Sequence, residues 1–402
     1  MLRRLICVIL AALLPLLAAA PVFAQDNSSS LPVICGDLSE DDCALIEEST
    51  AAMRDLSSYS IAATADFSMT GIPDMPADPL AVNLQMDGSF VVDDAAKAVA
   101  QQMNSLMLGA SPEDAAAMGS NMQDMLRDLF GGLDFDITFK YTLPPELADA
   151  MSKDSEVPVP ETFSIEVRLI DGNMYINVAD MRALDPSMSE EITSDWIGFD
   201  YVGLLEMQMQ QGSMEEDPAA ASAAAGLAVS QFMAEMKPYI SVERLDDVDL
   251  GGQQGAAFSY AFDIVGFLTS DAFRTAVENM LTASGEDVSA NDVQEGISML
   301  NFVAPMVFRD LEIKAGTEIG LDDKLMYSQT FDFSWDLASL AQFAAMSDPS
   351  AAEALGDAQP AVSFNFSGEY ADFNDEMIFE VPEDVQMIPL EQLAPPDTST
   401  VF

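Results

Sequence analysis

Residues 134–143 read Asp134-Phe135-Asp136-Ile137-Thr138-Phe139-Lys140-Tyr141-Thr142-Leu143, five apolar side chains alternating with five polar ones. A strand places successive side chains on opposite faces, so this pattern describes a strand with one buried and one wet face. The same period of two recurs at Tyr59, Ile61, Ala63, Ala65, Phe67 and Met69, and at Phe163, Ile165, Val167 and Leu169. It returns at Phe258, Tyr260, Phe262 and Ile264, at Phe331, Phe333 and Trp335, and at Val362, Phe364 and Phe366. Strands with one solvated face belong to an antiparallel sheet, because a doubly wound parallel sheet is buried on both sides. Asp171-Gly172, between Val167-Arg168-Leu169-Ile170 and Asn173-Met174-Tyr175-Ile176-Asn177, is a two-residue hairpin signal, and Asp87-Gly88 is a second in less regular surroundings.

Helices must cover the apolar face. Residues 39–56 predict one, capped by Ser39 and carrying Leu45, Ile46, Met53 and Leu56. Ser111-Pro112-Glu113-Asp114 starts another, with Met118, Met122, Met125, Leu126 and Leu129 on its face and Gly131-Gly132 at its end. Further helices are expected at 201–211, at 218–236 before Pro238, at 270–283, at 292–304 before Pro305 and at 336–346. The segment 144–160, with four prolines, reads as a loop, and residues 389–402 as a proline-containing tail. Sheet signals continue across every candidate boundary, so the expectation is one α+β domain over 45–390, with 391–402 as the tail.

Residues 1–24 begin with Arg3 and Arg4, continue through an apolar run and end in Pro21-Val22-Phe23-Ala24. That is the form of a signal peptide cut after Ala24, and the run is short for a spanning helix; the mature chain is expected to be extracytoplasmic, secreted or periplasmic. An acidic segment, 25–44, follows. It carries Cys35 and Cys43, the two cysteines left after cleavage. In an oxidising compartment they are expected to pair, since two thiols without histidine supply too few soft ligands for a closed zinc site.

The chain has 402 residues, with 68 acids against 15 bases and no histidine, for a net charge of -53. Nucleic-acid binding is excluded, since it needs clustered Lys and Arg. Missing histidine removes Ser-His-Asp and Cys-His catalysis and the H-E-x-x-H zinc sites. No phosphate-binding glycine loop and no G-x-S-x-G occurs, and no two carboxylates stand out as a glycosidase pair. Asp247 to Phe258 fails the calcium-loop pattern at its fifth position, Gly251, and its twelfth, Phe258, and Asp287 to Ser298 fails it at the turn glycine, replaced by Asp292, and at the terminal acid, replaced by Ser298. The expectation is a non-enzymatic protein with no cofactor and no metal. The 26 methionines, at helical spacing in places, read as adaptable packing residues rather than a Cu(I) site.

The hairpin Val167 to Asn177 followed by Trp196-Ile197-Gly198-Phe199-Asp200, and Glu369-Tyr370-Ala371-Asp372-Phe373-Asn374 followed by Val381-Pro382, resemble the central and closing strands of the LolA/LppX-like lipoprotein carriers, of the LppX and LprG type. The resemblance implies a curved antiparallel sheet, a half-barrel wrapped around amphipathic helices, with a cavity for an acyl chain or lipid. This chain departs from the pattern by lacking a lipid-modified cysteine at the mature N-terminus, and by long insertions around 93–133 and 201–236. The functional expectation is a binder of a lipid-like or other apolar ligand, with Met122, Met125, Leu129, Leu204, Phe232 and Met236 as candidate cavity walls chosen from amphipathic faces. The alternative is a structural or interaction protein of the cell envelope with a filled core. An outer-membrane barrel, prompted by the strands and the terminal Phe402, does not accommodate the helices or Pro395-Pro396.

Overall fold

The computed structural model describes residues 33–71, 79–109, 123–155, 158–184, 192–211, 232, 234–284, 290–340 and 359–393. Ser39 caps α1 (Glu40–Asp55), its hydroxyl accepting from the Asp42 amide at 3.1 Å. Glu40, Asp41 and Asp42 fill the first turn, where carboxylates complement the helix dipole. The chain continues through β1 (Ser58–Thr70), β2 (Leu80–Val92), α2 (Asp94–Gly109), α3 (123–131), β3 (Leu133–Thr142) and α4 (Pro145–Ser155). Then come β4 (Thr162–Ile170), β5 (Asn173–Asn177), α5 (Ala179–Leu184), β6 (Trp196–Asp200) and α6 (Tyr201–Gln211). A 3-10 turn (Lys237–Tyr239) leads into β7 (Ile240–Arg244), β8 (Val248–Asp249), β9 (Gln254–Phe262), α7 (Ile264–Leu268), α8 (Asp271–Ser284) and α9 (Ala290–Val307). The last elements are β10 (Leu311–Gly320), β11 (Met326–Asp336), β12 (Ala361–Ala371), β13 (Val385–Met387) and α10 (Leu390–Leu393).

All thirteen strands form one curved, open sheet, in the order β13-β6-β5-β4-β3-β2-β1-β12-β11-β10-β9-β7, with β8 also on β9. It is the expected α+β half-barrel. Two chain halves meet at its centre, where β1 pairs antiparallel with β12 from Ser60 opposite Ala371 to Thr70 opposite Ala361. The sheet is mixed rather than purely antiparallel, because β13 lies parallel to β6. After β12 the chain crosses the polar face to the far edge and so arrives running the same way as β6. Arg168 fastens that crossing, donating from Nη1 to the Glu380 carbonyl at 2.9 Å while its Nε meets Asp136 at 3.0 Å and its Nη2 meets Glu166 at 2.6 Å.

Asp171 and Gly172 form the expected hairpin turn, both at positive φ, as a two-residue turn matching the strand twist requires. Asp87-Gly88 is no turn. Both residues lie inside β2, where Gly88 sits between Ile61 and Ile137, and a Cβ there would approach Ile137 to 3.3 Å. Segment 144–160 contains α4 rather than a continuous loop, since Pro145 starts the helix, where its missing donor is harmless. α9 runs through Pro305 to Val307 instead of stopping before it. Proline removes one internal donor there, and the last turn is held from outside by Trp335, whose Nε1 donates to the Val307 carbonyl at 3.1 Å. Ile264 belongs to α7, not to β9, because Asp263 ends the strand and caps the helix by accepting from the Gly266 amide at 2.8 Å. Of the expected helices, 110–122, most of 218–236 and 341–346 lie outside the described residues.

Cys35 and Cys43 are disulfide-bonded, with Cα atoms 5.3 Å apart. Their loop packs on the edge strand β7, with Gly36 against the Val242 backbone. A covered edge cannot recruit another strand. α1 reaches both halves of the sheet: Met53, with Leu56 just beyond the helix, enters the main core, and Leu45 and Ile46 join Ala256, Phe258 and Ile319 in a smaller one.

Candidate functional site

On the helix-bearing face the strand registers assemble three rows of side chains. The first runs Leu84, Ala65, Phe366, Phe331, Ala315 and Tyr260 across β2, β1, β12, β11, β10 and β9. The second runs Val82, Phe67, Phe364, Phe333 and Ile313, and the third Leu80, Met69, Val362, Trp335 and Leu311. Every one of these residues is half-buried, none fully. The opposite face at the same positions carries Asp66, Ser68, Asn83, Asp332, Ser334, Ser363 and Asn365. The result is a contiguous apolar wall several strands wide.

Further along the same strands the wall closes. Tyr59, Ile61, Ala63, Met86, Phe135, Ile137, Val167 and Leu169 are buried under Ala96 and Val99 of α2, Met125 and Leu129 of α3 and Leu204 of α6. Between the two zones the face carries Gln329, opposite Gly368 and Thr317. Gln329 accepts from the Tyr370 hydroxyl at 3.2 Å. Burial pushes the Tyr370 hydroxyl pKa up to about 12, and burial likewise raises those of Tyr260 and Tyr59.

On the β9 side the rows meet a second apolar group. Phe267 of α7, only 1% exposed, is ringed by Phe232, Tyr239, Phe262 and Phe273 with centroids 5.4 to 5.8 Å away. At the third row, Trp335 stacks on Phe308 at 5.3 Å, just past the end of α9. The aromatic rings of the rows are thus only partly buried and form a contiguous, partly accessible apolar surface.

The structure divides the residues expected to line a cavity. Met125, Leu129 and Leu204 are packed into the main core, whereas Phe232 touches Phe267 and Met236 is half-buried just before the 3-10 turn. Met122 lies outside the described residues. The sequence marks the strand residues of the three rows as an apolar face, open to use as a cavity wall or as a closed core, and singles out none of them individually as a wall residue. Their signal was the density of aromatics at Phe331, Phe333, Trp335, Phe364 and Phe366, but which strand lies beside which is a long-range property that no local pattern records.

Two open clefts among the described residues are polar or mixed. One, of about 520 Å³, lies on the wet face among Ser60, Asp87, Ser89, Asp136, Glu166 and Glu369. Burial raises the pKa of Asp136, against the opposing pull of Arg168. Arg168 also lies over the Trp196 ring at 5.1 Å, so this cluster acts as the clamp on the crossing segment. The other, of about 760 Å³, is lined by Gly36 and Asp37 of the disulfide loop and by residues of β7 and β9 near Lys237, whose Nζ donates to the Val33 carbonyl at 2.8 Å. The Asp247 segment forms a turn, with Gly251 and Gly252 at positive φ and Asp249 accepting from the Gly252 amide at 2.7 Å. No described helix is long and apolar enough to cross a membrane.

No protein-family model and no curated protein sequence matches the chain. Among solved structures it is similar to Mycobacterium tuberculosis lipoprotein LppX, at 9% identity and a TM-score of 0.27 over 84% of this chain and 97% of that one. It is also similar to LprF from Mycobacterium bovis, at 8% identity and a TM-score of 0.30 over 86% of this chain and 98% of that one.

Proposed function

We propose that the chain is an extracytoplasmic, non-enzymatic binder of a lipid-like, apolar molecule, held against the three half-buried rows of the sheet. The observation that carries this reading is the wall itself: sixteen side chains brought into register from six strands, all apolar apart from the Tyr260 hydroxyl and the Trp335 indole N–H, and all left partly accessible. A closed core buries such residues, and a surface facing only water does not gather them. Gln329 and Thr317, where the wall meets the packed zone, offer hydrogen bonds to a polar end of such a molecule, while the rows take its chain. Phe232 and Met236 supply the helical side of the site. Met125, Leu129 and Leu204 support it from the core. The leader-like sequence of residues 1–24 supports the extracytoplasmic part of this reading, since outside the cytoplasm an apolar molecule needs a protein host to cross water.

The test is uptake of a fluorescent acyl-chain probe by the purified chain, wild type against Phe333→Asp and Phe364→Asp. A charge in the middle row should weaken uptake by about tenfold or more, since it must be desolvated beneath the probe. Circular dichroism should stay native, because both positions are only half-buried. No uptake by the wild type, together with a bare mass by native mass spectrometry after incubation with mixed lipids, would replace the binder with an envelope interaction protein.

A further inference from the structure

α9 satisfies its inner face with Ile297, Ala304 and Val307, all buried. Its other side is also apolar. Met299, Phe302 and Met306, spaced i, i+3 and i+7, form one strip, and they are 65%, 71% and 40% exposed. From Gly296 to Phe308 the chain has thirteen residues without an ionisable side chain, in a protein with a net charge of -53. A helix that only packed on the sheet would carry charge on that strip. From this helix we infer a docking surface for an electrically neutral lipid bilayer.

The strip favours a bilayer over a second copy of the chain on two grounds. Three side chains cover far less than the roughly 800 Å² per partner of a stable protein interface. Two copies also bring together two large negative charges, which oppose association. A fluid bilayer demands no shape complementarity, and a strip of one Phe and two Met can enter the boundary between headgroups and acyl chains. The same negative charge repels an anionic membrane and leaves a zwitterionic one accessible. Three side chains make such docking weak and reversible, as repeated visits require. The strip also adjoins the site. Met306 precedes Val307, whose carbonyl accepts from Trp335 of the third row, so docking brings a bilayer to the end of the apolar wall.

This inference rests on the proposed binder only for the purpose of docking; the docking itself rests on α9. The experiment is co-sedimentation of the full chain with phosphatidylcholine vesicles, repeated with phosphatidylglycerol vesicles at low salt, for wild type and for Phe302→Ser and Met299→Ser combined. The bound fraction on phosphatidylcholine should fall by about tenfold in the variant, and binding to phosphatidylglycerol should be weaker than to phosphatidylcholine. Equal sedimentation with and without vesicles, or identical behaviour of variant and wild type, overturns the inference. A wild-type dimer in sedimentation velocity that the variant abolishes overturns it in favour of a second copy. Probe uptake measured without vesicles separates the two claims. The variant should retain uptake; if the wild type takes up no probe yet still docks through α9, the binder falls and the docking surface stands.

Discussion

Ile61 and Phe67 sit six residues apart on one strand and point to the same face, yet Ile61 is 6% exposed and buried among Tyr59, Ile137 and Tyr370, while Phe67 is half-buried. The strand is equally apolar at both places. What changes is the cover. Ile61 lies in the same buried cluster as Met53, Leu56, Val99, Met125 and Leu129, brought by the helices, whereas around Phe67 the described partners are other sheet residues, Val82 and Phe364. One sheet therefore serves as core at one end and as accessible wall at the other, and alternation alone does not distinguish the two.

The widest separation between these zones should appear on truncation. Leu169 is fully buried in the main core, so Leu169→Ala should cost about 3–4 kcal/mol, for the lost transfer energy and the cavity left behind. Phe333→Ala, in the accessible rows, should cost about 1 kcal/mol, because the ring is already partly hydrated and its loss leaves no closed void. Urea midpoints at one pH decide this. Equal costs would mean that the wall is ordinary core.

Alkali should strain the packed zone next. Tyr370 is 3% exposed, and its pKa rises from 10.0 to about 12 on folding. A raised pKa means that the folded state holds its proton longer than the unfolded chain. Its stabilising share is therefore complete below pH 10 and is lost as the pH climbs through 12. Between pH 8 and pH 11.5 the wild type should lose about 2 kcal/mol through this group. Tyr370→Phe, which gives up the bond to Gln329, should begin less stable and then decline less steeply over that interval. Parallel declines would show that Tyr370 is hydrated in the fold.

Much of this architecture is written locally. Ser39 announced α1, Asp171-Gly172 the β4–β5 turn, and the alternation at 134–143 became β3 with Leu133, Phe135, Ile137 and Phe139 buried. Asp87-Gly88 misled because a turn pair in the middle of a strand looks the same over four residues; only the neighbours Ile61 and Ile137 explain why glycine is there. Pro305 misled because the sequence does not show Trp335 waiting to hold the last turn. The wall was the least legible part. Amphipathic helices offered Met125 and Leu129, which do face apolar surroundings, but those surroundings are the packed zone. Choosing between core and site requires knowing which part of the sheet each helix covers, and that is decided by pairings such as Ser60 with Ala371, more than 300 residues apart.

The smallest expected effect tests the element that joins the zones. α1 places Met53 in the main core and Leu45 and Ile46 in the small cluster beside β9 and β10, and its N-terminus, at Ser39, is the end nearer that small cluster. Ser39→Ala removes the bond to the Asp42 amide and should cost about 1 kcal/mol. The loss should not spread evenly. Fraying at the first turn loosens Leu45 and Ile46 before it reaches Met53, so amide exchange should quicken in β9 and β10, around Ala256 and Ile319, and stay unchanged in β3 to β5. If exchange rises uniformly, the two clusters unfold as one unit, and the difference between Ile61 and Phe67 is one of solvent access alone. If it rises only beside β9 and β10, the half of the sheet that carries most of the wall is also the half that opens more readily, which is the property an entry route for an apolar molecule needs.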